Sequence, residues 1–492
     1  MRTTIYPAPS EIRYKDGKFV FGKQMELRRS PEFDDKGKID MLCELWNSFT
    51  GTVGELNVIE DKALPPYTFV LGATNKMINE ILENDYCLSV FSDGAVIRAN
   101  DNVGLHFGYY TLLQMINLRC LKDGQEYISI DCVEIKDKAA IKFRALHICM
   151  RRGFSLLALK QQVRMAGLMK FTHITIEFEA SLKYDALPEL SWPDGFSKDE
   201  IKLILEDARN MGMEIIPMVN HLGHAGGGNL VLGGHAVLDQ NPKLAPLFEH
   251  NGWNFCISNP ETKELLRKMR NEMIELCGEG SYFHIGLDEA WGFGNCDLCS
   301  EVPKEKLFAD FVNEVSAELE AQGRRTMMWA DMLLNKKQFN TVCSNDMSTL
   351  AMSERNHLVS NATDEVPTHK AVDLINKDVI MIDWQYYHRE GDLRTTQHLM
   401  GKSYDTITAT WYLPDNIKHI CEETDKLNAY GYMSTIWGTI TSYPELIPFS
   451  AEAAWYGRGA TKIDSYRLET RFLDIATLQR KLLPNCPSMA IN

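Results

Sequence analysis

The chain after Phe143 alternates between short apolar runs and longer stretches with apolar residues at helical spacing. Apolar runs of this length predict buried strands, and the helical spacing predicts amphipathic helices between them. The eight apolar runs are FRALHIC, THITIEF, MEIIPMV, YFHIGLD, TMMWADM, VIMIDW, TITATW and YMSTIW. Eight strands that each precede a helix favour a closed parallel (β/α)8 barrel, or TIM barrel. An open doubly wound sheet is less favoured, because the glycines at 226–228 lack GxGxxG spacing.

The first region has a different pattern. Asp40 to Phe49 and Leu105 to Asn117 carry apolar residues at helical spacing, whereas YTFVLGA, DYCLSVFSDGAVIRAN and EYISIDCVEI have the pattern of strands. Gly94 lies between two of these strands and predicts a hairpin turn. We therefore predict a small α/β N-terminal domain over residues 1–140 and the catalytic barrel over residues 141–492.

Composition and charge limit the classes of molecule that we expect this protein to bind. The 492 residues are 45% hydrophobic and carry a formal net charge of -15, which is typical of a globular protein that repels phosphate backbones and anionic lipids. We expect neither nucleic acid nor a membrane as a partner. The first residues lack the apolar segment of a secretory signal, and the twelve cysteines lie in segments that look buried. Both features favour reduced thiols and a cytoplasmic location.

Polar and aromatic side chains follow the predicted strands, at the barrel end where TIM-barrel active sites lie. They are Glu177 and Glu179 after the second strand, Asn220, His221 and His224 after the third, Asp288 and Glu289 after the fourth, Trp329 and Asp331 after the fifth, Trp384, Tyr386 and Tyr387 after the sixth, Trp411 after the seventh and Trp437 after the eighth. Indole faces beside carboxylates match the C–H faces and hydroxyls of a pyranose ring. The pattern therefore indicates a carbohydrate ligand.

The adjacent pair Asp288 and Glu289 is the sharpest chemical feature. Alternate residues of a barrel strand face inward, so Asp288 shares the interior side with His284, and Glu289 reaches the same site only where the strand ends. Adjacent carboxylates in a partly dry site are expected to repel and to separate their pKa values, as glycosidic hydrolysis requires. The other reading, carboxylates that cap a helix or lie at the surface, stays open on this pattern alone.

Several motifs resemble one enzyme family. HIGLDEA is similar to the H-x-G-x-D-E element of glycoside hydrolase family 20, the β-N-acetylhexosaminidases, and IIPMVNHLGHA resembles the third-strand motif of that family. IEFEASLKY and MMWADML resemble in particular the hexosaminidase D-like branch. DYCLSVFSDGAVIRAN followed by GLHFGYYTLLQMI resembles the N-terminal α/β domain of the family.

This resemblance implies an exo-acting enzyme that removes terminal β-linked N-acetylglucosamine or N-acetylgalactosamine by a retaining, substrate-assisted mechanism and needs no cofactor or metal. Glu289 would be the general acid and base, and Asp288 would hold the acetamido N–H. Tyr386 or Tyr387 would donate to the acetamido oxygen. Further substrate-binding positions are Arg144, Glu179, His224, His284, Trp329, Asp331, Trp384, Trp411 and Trp437. The chain departs from the family at Cys149, where an aspartate is common, and lacks a recognisable Trp-x-Glu near Glu445.

Two other functional classes remain open. A catalytically silent sugar-binding barrel would keep the tryptophans but lose the acid, so the presence of both Asp288 and Glu289 argues against it. A metal-dependent hydrolase would use His221, His224 and Asp288. A related zinc set, His221 and His224 with the CxxC pair Cys296 and Cys299, is a weak signal, and reduced thiols with hydrogen-bonded histidines are the favoured reading.

Overall fold

The computed structural model describes residues 5–51, 55–78, 83–116, 128–151, 153–225, 237–238, 241–347, 349–351, 354, 356–437, 445–462 and 478–482. Its strands form two sheets, one of seven strands and one of eight. The three glycines at 226–228 lie outside the described residues. No helix in these ranges has the length and apolar character needed to cross a membrane.

The N-terminal sheet contains β1 Glu11–Val20, β2 Gln24–Arg29, β3 Glu55–Glu60, β4 Thr68–Gly72, β5 Tyr86–Phe91, β6 Gly94–Ala99 and β7 Ser129–Asp137. Its strand order is β1-β7-β5-β6-β4-β2-β3, and every pair except β2 with β3 is antiparallel. Gly94 pairs with Phe91 at the β5–β6 turn, which confirms the predicted hairpin. The two predicted helices are α1 Lys36–Thr50 and α2 Asn102–Met115, and Asn117 lies outside the described residues.

All eight predicted barrel strands are present. They are β8 Phe143–Cys149, β9 His173–Glu177, β10 Glu214–Ile216, β11 Tyr282–His284, β12 Arg325–Trp329, β13 Ile380–Trp384, β14 Thr406–Thr410 and β15 Gly431–Trp437. The strands are parallel and run in the order β10-β9-β8-β15-β14-β13-β12-β11. The backbone closes the ring between β10 and β11, because Val219 N donates to His284 O at 3.1 Å and His284 N donates to Pro217 O at 2.9 Å. The fold is the predicted (β/α)8 barrel behind an N-terminal α/β domain.

Helices follow the barrel strands, as the apolar spacing predicts. The α-helices are α3 Leu156–Leu168, α4 Lys198–Asn210, α5 Pro260–Cys277, α6 Lys304–Glu320, α7 Lys336–Phe339, α8 Ser344–Met347, α9 Arg394–Gly401, α10 Pro414–Leu427 and α11 Leu446–Tyr456. Short 3-10 helices cover Glu179–Ser181, Pro188–Leu190, Pro242–Leu247, Asp331–Leu333, Thr368–Asp373 and Gly457–Lys462. Ser197 and Glu200 form a reciprocal capping box at the start of α4, which satisfies backbone N–H groups that the helix leaves free.

A buried ion pair joins the N-terminal sheet to the barrel. The Lys170 ammonium lies 3.2 Å from the Asp137 carboxylate, and both side chains are fully buried. Asp137 also accepts from Tyr86 Oη at 2.6 Å and from Trp455 Nε1 at 2.8 Å. These bonds supply the partners that buried charges require. The domain boundary proposed at residue 140 lies between β7 and β8, and the division into two domains there stays a prediction.

Candidate active site

A left-handed backbone turn brings Asp288 and Glu289 to the same side of the barrel. β11 ends at His284, and Gly286, Leu287 and Glu289 then have φ values of 70°, 81° and 48°. Positive φ is costly for residues with a Cβ, and such residues concentrate at functional sites. The turn ends the inward–outward alternation of the strand, so two consecutive carboxylates face one site. Gly286 is required here, because a Cβ on it would lie 2.0 Å from Asn220 Oδ1.

His224 lies between the two carboxylates. Its Nε2 is 3.3 Å from Asp288 Oδ2 and 3.5 Å from Glu289 Oε2. Burial lowers the pKa of His224, but the charges and hydrogen bonds of Asp288 and Glu289 outweigh this effect and hold the pKa well above its usual range. Gly223 allows this approach, because a Cβ there would lie 2.3 Å from the Asp288 carbonyl oxygen. A protonated imidazole therefore offsets part of the negative charge of the pair.

Asp331 supports the pair from the end of β12. Its Oδ2 accepts from the backbone N–H of Glu289 at 3.0 Å and from Asn361 Nδ2 at 2.8 Å, and its Oδ1 accepts from Trp384 Nε1 at 3.1 Å. Burial raises the pKa of Asp331 to about 7, and the charge of Asp288 adds to this rise. Asp331 thus links the backbone of Glu289 to an aromatic side chain of the site.

Aromatic side chains line the same end of the barrel. Trp437 Nε1 donates to Tyr386 Oη at 2.9 Å, and the Trp329 and Trp437 rings lie 6.1 Å apart. Tyr386 packs on Trp384 at 5.1 Å and on Trp411 at 5.9 Å. Burial raises the pKa of Tyr386, with further contributions from the charges of Asp288 and Glu289, so this tyrosine lies near the carboxylate pair. Tyr387, the other strand-six candidate, is only partly buried.

A second acidic group lies after β9. Glu177 accepts from His147 Nε2 at 2.9 Å and from Asn220 Nδ2 at 2.6 Å. Burial raises the pKa of Glu179 to about 7, and the charge of Glu177 adds to this rise. Glu177, Glu179, Asn220 and His224 line one cavity beside the pair. These side chains give the cavity several hydrogen-bonding groups.

Three predicted site residues lie elsewhere. Arg144 is at the other end of β8, where its guanidinium donates to Ile141 O at 2.7 Å and to Lys170 O at 2.6 Å, so it does not reach the carboxylates. His284 is fully buried beside Trp329, with ring centroids 4.7 Å apart, and accepts from Gly286 N at 3.0 Å. His221 packs between Phe283 and Phe311, on the helix side of the strands. His221 and His224 therefore do not converge on a common ion.

The structure adds residues that the sequence analysis did not assign to the site; for Arg151 it favoured a solvated charged turn over a contact with the substrate. Arg151, which follows β8, lies within electrostatic reach of Glu177 and Glu179 and therefore faces the site. Its position just after β8 was a usable signal, because TIM-barrel sites form at that end of each strand. Trp253 Nε1 donates to Glu289 O at 2.7 Å, and the Trp253 ring lies 4.4 Å from His224. Asn361 and Trp253 belong to long loops, and no local sequence pattern indicates their role.

The site has the groups for acid–base chemistry on a polar ring ligand. Asp288 Oδ1 is buried and has no hydrogen-bond partner among the described residues, so it is available to accept from a ligand N–H or O–H. Glu289 is partly accessible, with 18% of its side chain exposed. Two carboxyl groups that differ in exposure are thus adjacent at the end of the barrel that also carries the aromatic side chains.

Comparison with known proteins agrees with this arrangement. The family described as glycosyl hydrolase family 20, catalytic domain, matches residues 173–450, and its domain 2 matches residues 2–138. The chain is 26% identical over 305 residues to a probable beta-hexosaminidase of Drosophila melanogaster, covering 53% of this chain and 43% of the relative. It is 29% identical over 172 residues to hexosaminidase D of Bos taurus, covering 32% of this chain and 46% of the relative. The chain thus spans less than half the length of these two curated relatives.

A solved structure has the same fold. A family 20 exo beta-N-acetylglucosaminidase of Vibrio harveyi, in complex with N-acetylglucosamine, matches with a TM-score of 0.68 and 14% identity, over 96% of this chain and 77% of that chain. Similarity at this identity establishes the architecture alone. The catalytic-domain match at residues 173–450 covers more than half of the 492 residues, and the chain therefore belongs to glycosyl hydrolase family 20.

Proposed function

We propose that the protein is an exo-acting β-N-acetylhexosaminidase that hydrolyses terminal β-linked N-acetylglucosamine or N-acetylgalactosamine with retention of configuration. The observation that carries this proposal is the turn that places Asp288 and Glu289 together, with His224 within 3.3 and 3.5 Å of them. Membership of family 20 and the adjacent indoles support the same conclusion. The Vibrio harveyi relative, whose structure holds N-acetylglucosamine, supports the choice of sugar.

The first step is attack by the substrate itself. The carbonyl oxygen of the 2-acetamido group forms a bond to the anomeric carbon while the bond to the leaving oxygen breaks, and Glu289 gives its proton to that oxygen. Asp288 accepts a hydrogen bond from the acetamido N–H through its unpaired Oδ1 and stabilises the positive charge that develops on the ring. Family 20 is an exception to the scheme with an enzyme nucleophile.

The acetamido group needs a shaped pocket for this attack. Trp329, Trp384 and Trp437 provide apolar faces for the methyl group, and Tyr386 provides a hydroxyl near the carbonyl oxygen. Tyr386 Oη accepts from Trp437 Nε1 at 2.9 Å, and this bond fixes the position of the hydroxyl group that we propose donates to the substrate. Holding the reacting atoms together in this way supplies much of the rate acceleration.

The second step returns the proton to Glu289. Water attacks the anomeric carbon from the face that the leaving group occupied, Glu289 removes a proton from that water, and the acetamido oxygen departs. Two inversions give net retention. Arg151, Glu179 and Asn220 are the groups that we propose bind the sugar hydroxyls, since they border the same cavity or face its acids.

The two rival functions fit the geometry less well. A silent sugar-binding barrel does not need a buried carboxylate oxygen without a partner next to a second carboxylate. A hydrolase that binds a metal through His221, His224 and Asp288 requires the two histidines to converge. His221 instead donates its ring hydrogen bond to Val219 O at 2.6 Å and packs between phenylalanines.

The test is a panel of p-nitrophenyl β-glycosides with and without the 2-acetamido group. We expect turnover of the N-acetylglucosaminide and N-acetylgalactosaminide, no measurable turnover of the glucoside and galactoside, and the β-anomer as the first product by proton NMR. Glu301→Gln, at an exposed position of the same loop, is the matched control for Glu289→Gln and keeps wild-type rates. Equal rates on glucosides, or an α-anomer as the first product, would contradict the proposal.

A further inference from the structure

Three cysteine thiols lie together beside the active site. Cys256 Sγ is 3.3 Å from Cys296 Sγ and 3.7 Å from Cys299 Sγ, and all three side chains are buried. A disulfide would bring two sulfurs to about 2.05 Å. Two thiolates on one tetrahedral zinc ion, each about 2.3 Å from the metal, lie about 3.8 Å apart. The observed separations are therefore close to those of a shared metal and far from those of a disulfide.

Backbone amides point at these sulfurs. The N–H of Cys299 donates to Cys296 Sγ at 3.4 Å, and the N–H and hydroxyl of Ser258 donate to Cys299. Donors of this kind around the ligand atoms orient the ligands of a metal site. The surroundings of the cluster thus suit metal-bound sulfur.

The two other compact ligand sets have different explanations. His224, Asp288 and Glu289 lie within 4.8 Å of one another, but the ion pairs of His224 with the two carboxylates and the proposed substrate chemistry account for them. Cys149, Glu177 and Glu179 also cluster, next to the cationic side chain of Arg151. Within the described residues, the all-cysteine cluster is the set with soft ligands and no competing cation.

We propose that Cys256, Cys296 and Cys299 bind one zinc ion. Thiolates are preferred zinc ligands, and Cys-x-x-Cys is the usual spacing of two ligands in a structural site, with the remaining ligands from another segment. A metal bound here displaces the thiol protons. The fourth position is left to a water molecule or to the Glu249 carboxylate, which contacts Cys299 and accepts from Gly294 N at 2.8 Å.

The ion would join two loops that support Glu289. Cys256 belongs to the loop that carries Asn251 and Trp253, while Cys296 and Cys299 belong to the loop after β11. These loops already touch, since Trp253 Nε1 donates to Glu289 O at 2.7 Å and Asn251 Nδ2 donates to Trp291 O at 2.7 Å. Zinc is therefore a structural ion that positions the loop of the general acid, and it takes no part in the bond-breaking steps.

Metal content is the direct test, and it is independent of the proposed hydrolase activity. The full chain is purified from zinc-supplemented cells without chelator, and metals are measured by plasma mass spectrometry. We expect about one zinc per chain. Cys256→Ser, Cys296→Ser and Cys299→Ser each lose most of it, while Cys277→Ser, an equally buried cysteine in α5, retains it. Cobalt exchanged into the wild type shows sulfur-to-cobalt charge transfer and the visible bands of a tetrahedral ion.

A second measurement covers variants that fail to fold. An organomercurial is titrated into the wild-type protein with a zinc-sensitive dye, and zinc release is expected to follow modification of the clustered thiols. A protein with free, alkylatable thiols and no zinc would overturn the proposal. So would a mass lower by two hydrogens with a Cys256–Cys296 disulfide in the peptide map, because this result would assign the cluster to a redox role.

Discussion

Replacing Asp331 with asparagine separates its hydrogen bonds from its charge. The carboxylate accepts from Glu289 N, Asn361 Nδ2 and Trp384 Nε1. An asparagine amide has one acceptor oxygen, so the orientation that keeps the Glu289 and Asn361 bonds turns its NH2 group toward the Trp384 N–H. A buried donor without a partner costs about 1–3 kcal/mol of folding stability. This loss is present at every pH.

The charge of Asp331 has an opposite, pH-dependent effect. Its folded-state pKa of about 7 lies above the usual value of 3.8, so the unfolded chain loses this proton first as the pH rises. The folded state then binds more protons than the unfolded state, and wild-type stability falls between about pH 4 and pH 7. At 1.36 kcal/mol per pKa unit, the fall reaches about 4 kcal/mol above pH 7. The asparagine side chain of the Asp331→Asn variant does not ionise, so the variant does not show this fall in stability.

The assay is urea unfolding of the wild type and Asp331→Asn across this pH range. We expect the variant to be less stable by about 1–3 kcal/mol near pH 4 and the difference to close or reverse above pH 7. Asp364→Asn is the control, because this carboxylate is 60% exposed and lies beside Lys337. The stability difference between Asp364→Asn and the wild type should not become smaller as the pH rises. Parallel stability curves for wild type and Asp331→Asn would refute the assignment of a raised pKa to Asp331.

Three further outcomes follow from the contacts of the site and of the domain junction. Glu289→Gln should slow substrates with poor leaving groups most, whereas Asp288→Asn should slow activated aryl and natural leaving groups alike, and a uniform loss for Glu289→Gln would contradict its role as the acid. Trp437→Phe removes the N–H that orients Tyr386. It should lower kcat/KM for acetamido substrates by about 10²-fold and leave the unfolding midpoint unchanged. Wild-type kinetics in this variant would exclude the orienting role of Trp437. Asp137→Ala leaves the Lys170 ammonium buried without its partner. It should lower the free energy of unfolding in urea by about 3–5 kcal/mol, far more than the replacement of a surface aspartate. A decrease below about 1 kcal/mol would contradict the importance of the ion pair.

Local pattern accounts for the parts of the structure that the sequence predicted. Strand and helix periods are properties of neighbouring residues, and eight repeats of the same unit leave few closed arrangements, so the barrel and the end that carries the site could be inferred. The Asp288 and Glu289 pair was predicted for the same reason, because the two residues lie at the end of the fourth apolar run. The capping box at Ser197 is also local, since its two partners are three residues apart.

The backbone after β11 was not predictable from alternation. An inward–outward pattern assigns Asp288 and Glu289 to opposite faces, but positive φ at Leu287 and Glu289 rotates both toward one site. The packing of Gly286 against Asn220 and of Gly223 against Asp288 O makes that conformation possible. Contacts between different loops, which need glycine at positions 223 and 286, therefore decide where the carboxylates point.

The sequence by itself determined the fold class, the family resemblance and the position of the carboxylate pair, because each depends on short segments. Only the tertiary structure decided which residues share a site. Arg144 and Arg151 lie at opposite ends of one strand region, and only Arg151 faces the acids. Cys256 meets Cys296 and Cys299 across 40 and 43 residues of chain. Such contacts depend on how loops from different strands pack at the barrel end, and the periodic pattern of apolar residues along the chain does not predict that packing.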